Sequence, residues 1–325
     1  MNQDRYRWTT TAILLAFILG AFSATQTACP GPEQRIFKPI AEKLQAEPRL
    51  SVYIKETGQK KDMSIEEYLA GVVAGEMRPG WTKAAYAAQA IVARTFTMEF
   101  LARGGTRKIH GTDISTDEKE AQAYNAKAIT PIIKKAVLST KGQVMVYKGR
   151  YVHGWFSASC GGRTVPAKIG LAYKEAEPPY ITSVTCSESK VIPKSEQFWS
   201  TTFTLPEVQK AFTDKGKQVG TVQKLAIGKK DPKTKRAVTL VATGTAGKTT
   251  IPAADFRTAV GPEKMRSIWL LSLTQSSQGI AIKGRGFGHG VGLCQWGAYA
   301  LAKSGQNPIE IVKHYYPKVK IMDLW

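Results

Sequence analysis

Residues 64–105, SIEEYLAGVVAGEMRPGWTKAAYAAQAIVARTFTMEFLARGG, constrain this chain more than any other stretch. They dictate two consecutive helices and put a carboxylate at the corner between them. Ser64 and Glu67 have the spacing of a capping box, so a helix begins there. Ile65, Tyr68, Leu69, Val72 and Val73 then share one helical stripe, and the next place on it belongs to Glu76. Met77-Arg78-Pro79-Gly80 stops the helix, because Pro79 steers Arg78 out of the α region and Gly80 permits a sharp turn.

An acid on an apolar stripe loses solvation in its charged form, and the negative end of the helix opposes a second negative charge. Both effects raise its pKa. A Glu lifted from roughly 4.3 to about 6 serves as a general acid near neutral pH. The plainer alternative is an ordinary Glu at a helix end, paired with Arg78. The second helix, over about residues 82–103, is rich in alanine and closes at Gly104-Gly105. Its small side chains predict a buried helix, interrupted by Gln89 and Arg94. A buried Arg needs a partner, which a site anion, a carbonyl-rich loop or a structural acid would supply.

The chain has 325 residues and is 43% hydrophobic, enough for a large core. Residues 1–28 place Arg5 and Arg7 before an apolar run too short for a comfortable membrane span, which reads as a secretory signal. Cleavage, lipidation at Cys29 and an uncleaved anchor are all compatible with it. Residues 29–48, with Pro30 and Pro32, read as a linker into one domain over 49–325, inside which 190–251 reads as a β-rich insertion. Export permits a disulfide, and Cys160 with Cys186, both in loop-like sequence, is the expected pair, worth roughly 3 to 4 kcal/mol in the chain-entropy model. The rival is a metal site, but His110, His153, His289 and His314 are scattered without zinc spacing, so neither metal nor any other cofactor is expected.

A formal charge of +21 points to an acidic partner. Nucleic acid is not expected in an exported chain without a recognition motif. Peptidoglycan with its anionic polymers, or an anionic membrane surface, suits the compartment. Much of the charge falls on a hairpin around residues 228–235, with Lys224, Lys229, Lys230, Lys233, Lys235 and Arg236 against Asp231. It reads either as a solvated tip or as a handle for a polyanion.

Elsewhere the reading is a strand over 50–54, a polar loop over 106–126 fit to line a cleft, and a helix from Thr130-Pro131 to near Gly142. A hairpin over 144–156 delivers SASCGGR. A strand and a helix capped by Thr204 and Glu207 follow, with a last helix begun by Asn307-Pro308 and a closing strand over 319–324. The stretch GRGFGHGVGLCQWGA, residues 284–298, repeats Gly at every second position up to Gly292. It matches neither a Walker loop nor a dinucleotide fingerprint. It suits a backbone pressed against a neighbour, with His289 and Gln295 as polar groups to aim. The fold class is α+β: one large mixed domain with β-hairpins and a buried helix pair behind an N-terminal signal segment.

Together AGVVAGEMRPGWTKAAYAAQAIVARTF (70–96), SASCGGRT (157–164), DFR (255–257), GRGFGHGVGLCQWGAYALAKSG (284–305) and HYYP (314–317) resemble the stage II sporulation protein D family. The resemblance covers about residues 49–325. It implies an extracytoplasmic lytic transglycosylase acting on peptidoglycan strands stripped of stem peptides, or a related domain that enhances a cell-wall amidase. By position it puts the catalytic acid on Glu76 and the Arg of the ART segment on Arg94, with Ser157, His289 and Gln295 in other signature segments. Some members bind zinc through Cys and His after the second helix. Here that region has His110 and no cysteine, so zinc is not carried over. Cys294-Gln295-Trp296 stands where many members have Ser-Gln-Tyr. Glycan strands, an amidase and, through the N-terminus, a membrane are the implied partners; sporulation itself is not implied.

Overall fold

The computed structural model describes residues 43–325, so the signal segment and most of the linker lie outside the described residues. β1 (Arg49–Ile54) and β2 (Gln59–Ser64) form an antiparallel hairpin with Arg49 opposite Ser64. Ser64 ends that ladder and caps α1 (Ile65–Glu76), accepting from the Glu67 N–H at 3.2 Å. Only this half of the expected capping box forms, because Glu67 turns its carboxylate toward Lys61 on β2, at 3.7 Å. α2 (Lys83–Ala102) starts at Thr82, whose hydroxyl accepts from the Ala85 N–H, and ends at Arg103 before two left-handed glycines. Its alanines 85, 87, 88, 90 and 93 are all buried, and the two helices form the centre of the first hydrophobic core.

The segment after α2 forms α3 (Arg107–His110) and β3 (Ile114–Ser115), which runs parallel to β1. α4 (Pro131–Leu138) follows Thr130 as cap and stops short of Gly142. β4 (Gln143–Tyr147) pairs with a two-residue β5 (Arg150–Tyr151). The expected hairpin breaks after Tyr151 because Gly154 crosses α2 so closely that a Cβ there would stand 2.5 Å from the Val92 carbonyl. Phe156 and Ser157 are instead a separate strand, β6.

After α5 (Ala167–Gly170) and α6 (Lys194–Gln197) the chain builds a second core. Its elements are β7 (Phe198–Phe203), α7 (Leu205–Thr213) with a complete Thr204–Glu207 capping box, and β8 (Val222–Ile227). β9 (Thr239–Gly244), β10 (Gly247–Pro252), α8 (Ala253–Val260), β11 (Leu270–Ser276) and β12 (Gly279–Arg285) follow. Two antiparallel sheets, β8-β9-β10 and β7-β12-β11, enclose Phe203, Phe212, Phe256 and Ile282. This core runs from Trp199 to Ile282, so the stretch expected at 190–251 shares it with residues well beyond Ile251.

β13 (Leu293–Cys294) pairs parallel with β6 and joins the glycine-rich segment to SASCGGR. α9 (Gln295–Lys303) and α10 (Pro308–Tyr315) bring residues of the last third into the first core, and β14 (Lys320–Asp323) completes the β4 sheet. The architecture is α+β, with several small sheets around packed helices. Gly292 illustrates the glycine repeat: its φ is +71°, and a Cβ would lie 2.1 Å from the Trp155 carbonyl.

Candidate active site

Glu76 is the last residue of α1, on the stripe of Ile65, Tyr68, Leu69, Val72 and Val73, and it is 8% exposed. The loop after β3 crosses the end of the helix, and the Ala123 N–H donates to Glu76 Oε1 at 2.8 Å. Two glycines on α1 allow that approach. A Cβ at Gly75 would stand 2.7 Å from the Tyr124 nitrogen, and one at Gly71 would enter the Tyr124 ring. Burial pushes the Glu76 pKa up to about 8; the Ala123 bond opposes this and the negative charge of Glu118 adds to it. Arg78 does not neutralise the acid. It pairs with Glu196 at 2.5 Å and lies over the Trp296 ring.

A cleft of about 710 Å³ opens at the end of α1, lined by the chain neighbours of Glu76 rather than by Glu76 itself. Gly75 and Met77, on either side of Glu76, line it together with Ala123, Tyr124 and Asn125 from the crossing loop. Lys55, Arg78, Lys127, Glu56 and Glu118 also line it, giving a polar groove with one aromatic ring, Tyr124, which suits a sugar polymer. A second cavity of about 730 Å³ lies away from Glu76, among Lys194, Trp199, Lys264, Arg266 and Lys283.

None of the other candidate site residues singled out in the sequence lines this cleft either. Arg94 is fully buried and bound to Glu66, Nε to Oε1 at 3.0 Å and Nη2 to Oε2 at 2.5 Å, while Nη1 donates to the Gln143 carbonyl at 3.0 Å. His289 is buried, with Nδ1 accepting from the Val291 N–H at 3.0 Å. Burial, then the positive charges of Arg257 and Arg236, push its pKa down to about 3, so it is neutral at physiological pH. Gln89, Ser157 and Gln295 are buried, and each keeps a polar atom without a hydrogen-bond partner among the described residues.

The SpoIID stage II sporulation protein model matches residues 53–147, a span that holds Glu76, the crossing loop and the Glu66–Arg94 pair. An uncharacterized protein of Brachyspira hyodysenteriae is 33% identical over 266 residues, covering 81% of this chain and 67% of its own length. The stage II sporulation protein D of Bacillus subtilis is 29% identical over 299 residues, covering 87% of this chain and 82% of that protein. The chain belongs to the stage II sporulation protein D family. The amidase enhancer of Bacillus subtilis is also similar, 27% identical over 290 residues, covering 77% of this chain and 39% of that larger protein.

Within this family member, sequence reasoning missed the parts of the site that are backbone or far apart in number. The Ala123 N–H carries no sequence signature. Gly71 and Gly75, one helical turn apart, were a readable sign of close approach to α1. Cys160 and Cys186 do come together, unbridged in this structure, and a third thiol, Cys294, and the carboxylate of Glu188 share the same space. The four ligand atoms lie within 4.8 Å of one another, and all four residues are buried. This is the one group of described residues with the composition of a metal site.

Proposed function

We propose that this protein is an extracytoplasmic peptidoglycan lytic transglycosylase, with Glu76 as its single general acid and base. Membership of the stage II sporulation protein D family and similarity to an amidase enhancer support a role at the cell wall. The observation that carries the finer reading is the acid itself. A carboxyl whose pKa is pushed up to about 8 is protonated at neutral pH, and its chain neighbours Gly75 and Met77 line a cleft of substrate size.

Ordinary glycosidases use two carboxylates, one to protonate the leaving oxygen and one as nucleophile or base. A lytic transglycosylase manages with one. Glu76 gives its proton to the glycosidic oxygen between N-acetylmuramic acid and N-acetylglucosamine as the bond to the muramyl C1 breaks. The carboxylate left behind takes the proton of the muramyl 6-hydroxyl, whose oxygen attacks C1 and closes the 1,6-anhydro ring. The acid returns to its protonated form, and no water is consumed. Tyr124 offers a face for a sugar ring, and Arg78 and Asn125 offer polar contacts along the groove. The engagement of Arg94 with Glu66 supports a role for it in holding α1 and α2, one step removed from the sugar.

The test is purified protein with denuded glycan strands, analysed by mass spectrometry for 1,6-anhydro ends. A second reading, a basic wall-binding enhancer of an amidase, is favoured by the similarity to the amidase enhancer and by exposed Lys229, Lys230, Lys233 and Lys235. Absence of anhydro ends with stimulation of an amidase would select it. No helix among the described residues is long and apolar enough to cross a membrane.

A further inference from the structure

We propose that Cys160, Cys186, Cys294 and Glu188 bind one zinc ion in a closed structural site that ties three distant segments of the chain together. The ligands come from the SASCGGR loop after β6, the turn at residues 186–190 and the junction of β13 with α9. Three thiolates and one carboxylate are a donor set for a tetrahedral, thiophilic divalent ion. Zn–S bonds of about 2.3 Å set sulfurs about 3.8 Å apart in a tetrahedron. Ligand atoms that all lie within 4.8 Å of one another surround a single ion and leave no room for a cluster of several metals.

The surroundings hold the donor atoms in place. Cys294 Sγ accepts from the N–H groups of Cys160 and Gly297, each at 3.3 Å, and Cys186 Sγ lies 3.3 Å from the Tyr315 hydroxyl. Glu188 Oε1 is held by the Ser159 hydroxyl at 2.9 Å. Oε2 accepts from the Cys160 N–H at 3.0 Å and lies 2.7 Å from Cys294 Sγ and 3.6 Å from Cys160 Sγ. Such outer contacts orient metal ligands and stabilise their charged forms. Gly297 has a matching role, since a Cβ there would stand 2.1 Å from Cys186 Sγ and 2.0 Å from Tyr315 Oη. Behind the site the buried Arg236 guanidinium donates to the carbonyls of Cys160 and Arg163 and adds a positive charge.

A disulfide would use two of the three sulfurs and leave the third thiol and the Glu188 carboxyl buried beside it, with only the Arg236 guanidinium behind them. A dication satisfies all four groups, and the three thiol protons leave to solvent as it binds. With four protein ligands and no exposed face, the site is structural rather than catalytic.

The test uses the full exported chain, purified without chelator or added reductant. Metal analysis should give about one zinc per chain. Reduced, metal-free protein titrated with Co²⁺ should develop thiolate-to-cobalt charge-transfer bands and the strong visible bands of a tetrahedral site. Cys→Ser variants risk not folding, so Ser159→Ala and Glu188→Gln serve beside them, and Ser159→Ala should weaken Co²⁺ binding roughly 10- to 100-fold. A Cys160–Cys186 disulfide in non-reducing peptide maps of the exported chain would overturn the proposal, as would reduced protein that binds neither Zn²⁺ nor Co²⁺.

Discussion

Glu66 and Arg94 form a bidentate ion pair between α1 and α2, both side chains almost wholly shielded from water. Glu66 Oε1 also accepts from the Gly142 N–H at 3.0 Å, so the pair fixes the chain end of α4 as well as the two helices. A buried pair of this kind is costly to break from one side, because the remaining charge stays buried alone. Arg94→Ala should destabilise the protein by roughly 3 to 5 kcal/mol in denaturant unfolding. The double change Glu66→Leu with Arg94→Met should recover much of that loss. Unchanged stability with a large fall in turnover would instead give Arg94 a direct part in the chemistry.

Glu76→Gln should abolish production of anhydro ends while folding and wall binding persist, because the amide keeps the size of the acid and lacks its proton. Turnover close to wild type would remove Glu76 from the mechanism. With its pKa near 8 in the fold against 4.5 as the ordinary value, the wild-type rate should hold through neutral pH and fall above about pH 8.

The same shift makes a stability prediction. A carboxyl whose pKa is raised by folding contributes fully below its unfolded value, and the contribution is lost as pH rises through the folded one. The wild type should therefore lose stability relative to Glu76→Gln between pH 4.5 and 8. Thermal melts of both proteins across that window measure it, and parallel curves would contradict the raised pKa.

Local sequence carried the helix pair because capping, periodicity and the Pro79-Gly80 stop act within a few residues. Ser64, Thr130, Thr204 and Asn307 all cap helices as their sequence contexts predict, and Thr82, where the second helix is expected to begin, is its cap. The position of Glu76 on an apolar stripe was readable for the same reason. What could not be read were contacts set by the tertiary path. Arg94 was recognised as needing a partner, yet Glu66 could be found only once α1 and α2 were packed. Cys294 has no readable role in the sequence because its partners, Cys160, Cys186 and Glu188, lie more than a hundred positions away in the chain. Arg236 was counted with the hairpin lysines, but it is buried with its guanidinium on the Cys160 carbonyl, so the exposed charge belongs to the lysines alone.

Gly75 offers a test of the cleft that leaves the acid in place. A Cβ there would press on the Tyr124 nitrogen and on the Ala123 carbonyl at 2.8 Å, in backbone that cannot swing aside as a side chain would. Gly75→Ala should push the crossing loop off α1, lengthen the Ala123–Glu76 bond and cut turnover. The cost in stability should be about 1 to 3 kcal/mol, as for other overpacked sites. A fall in kcat beyond the loss of folded protein is the expected outcome, and full activity would show that the loop need not touch Glu76.

The exposed lysines of the β8–β9 hairpin separate wall binding from catalysis. Lys229, Lys230 and Lys233 stand on the second core, away from the Glu76 cleft, so reversing their charge leaves the acid untouched. Exposed charges are screened beyond about 8 Å at physiological ionic strength, so affinity built from them should weaken steeply with salt. Sugar contacts within the cleft should respond far less. Reversal at the three lysines should raise the apparent KM on intact wall, where anionic density is high, and leave turnover on short glycan fragments nearly unchanged. Sedimentation of the protein with isolated peptidoglycan across a salt titration gives the binding arm. Binding indifferent to salt, or equal loss on wall and fragments, would return these lysines to the role of a solvated surface.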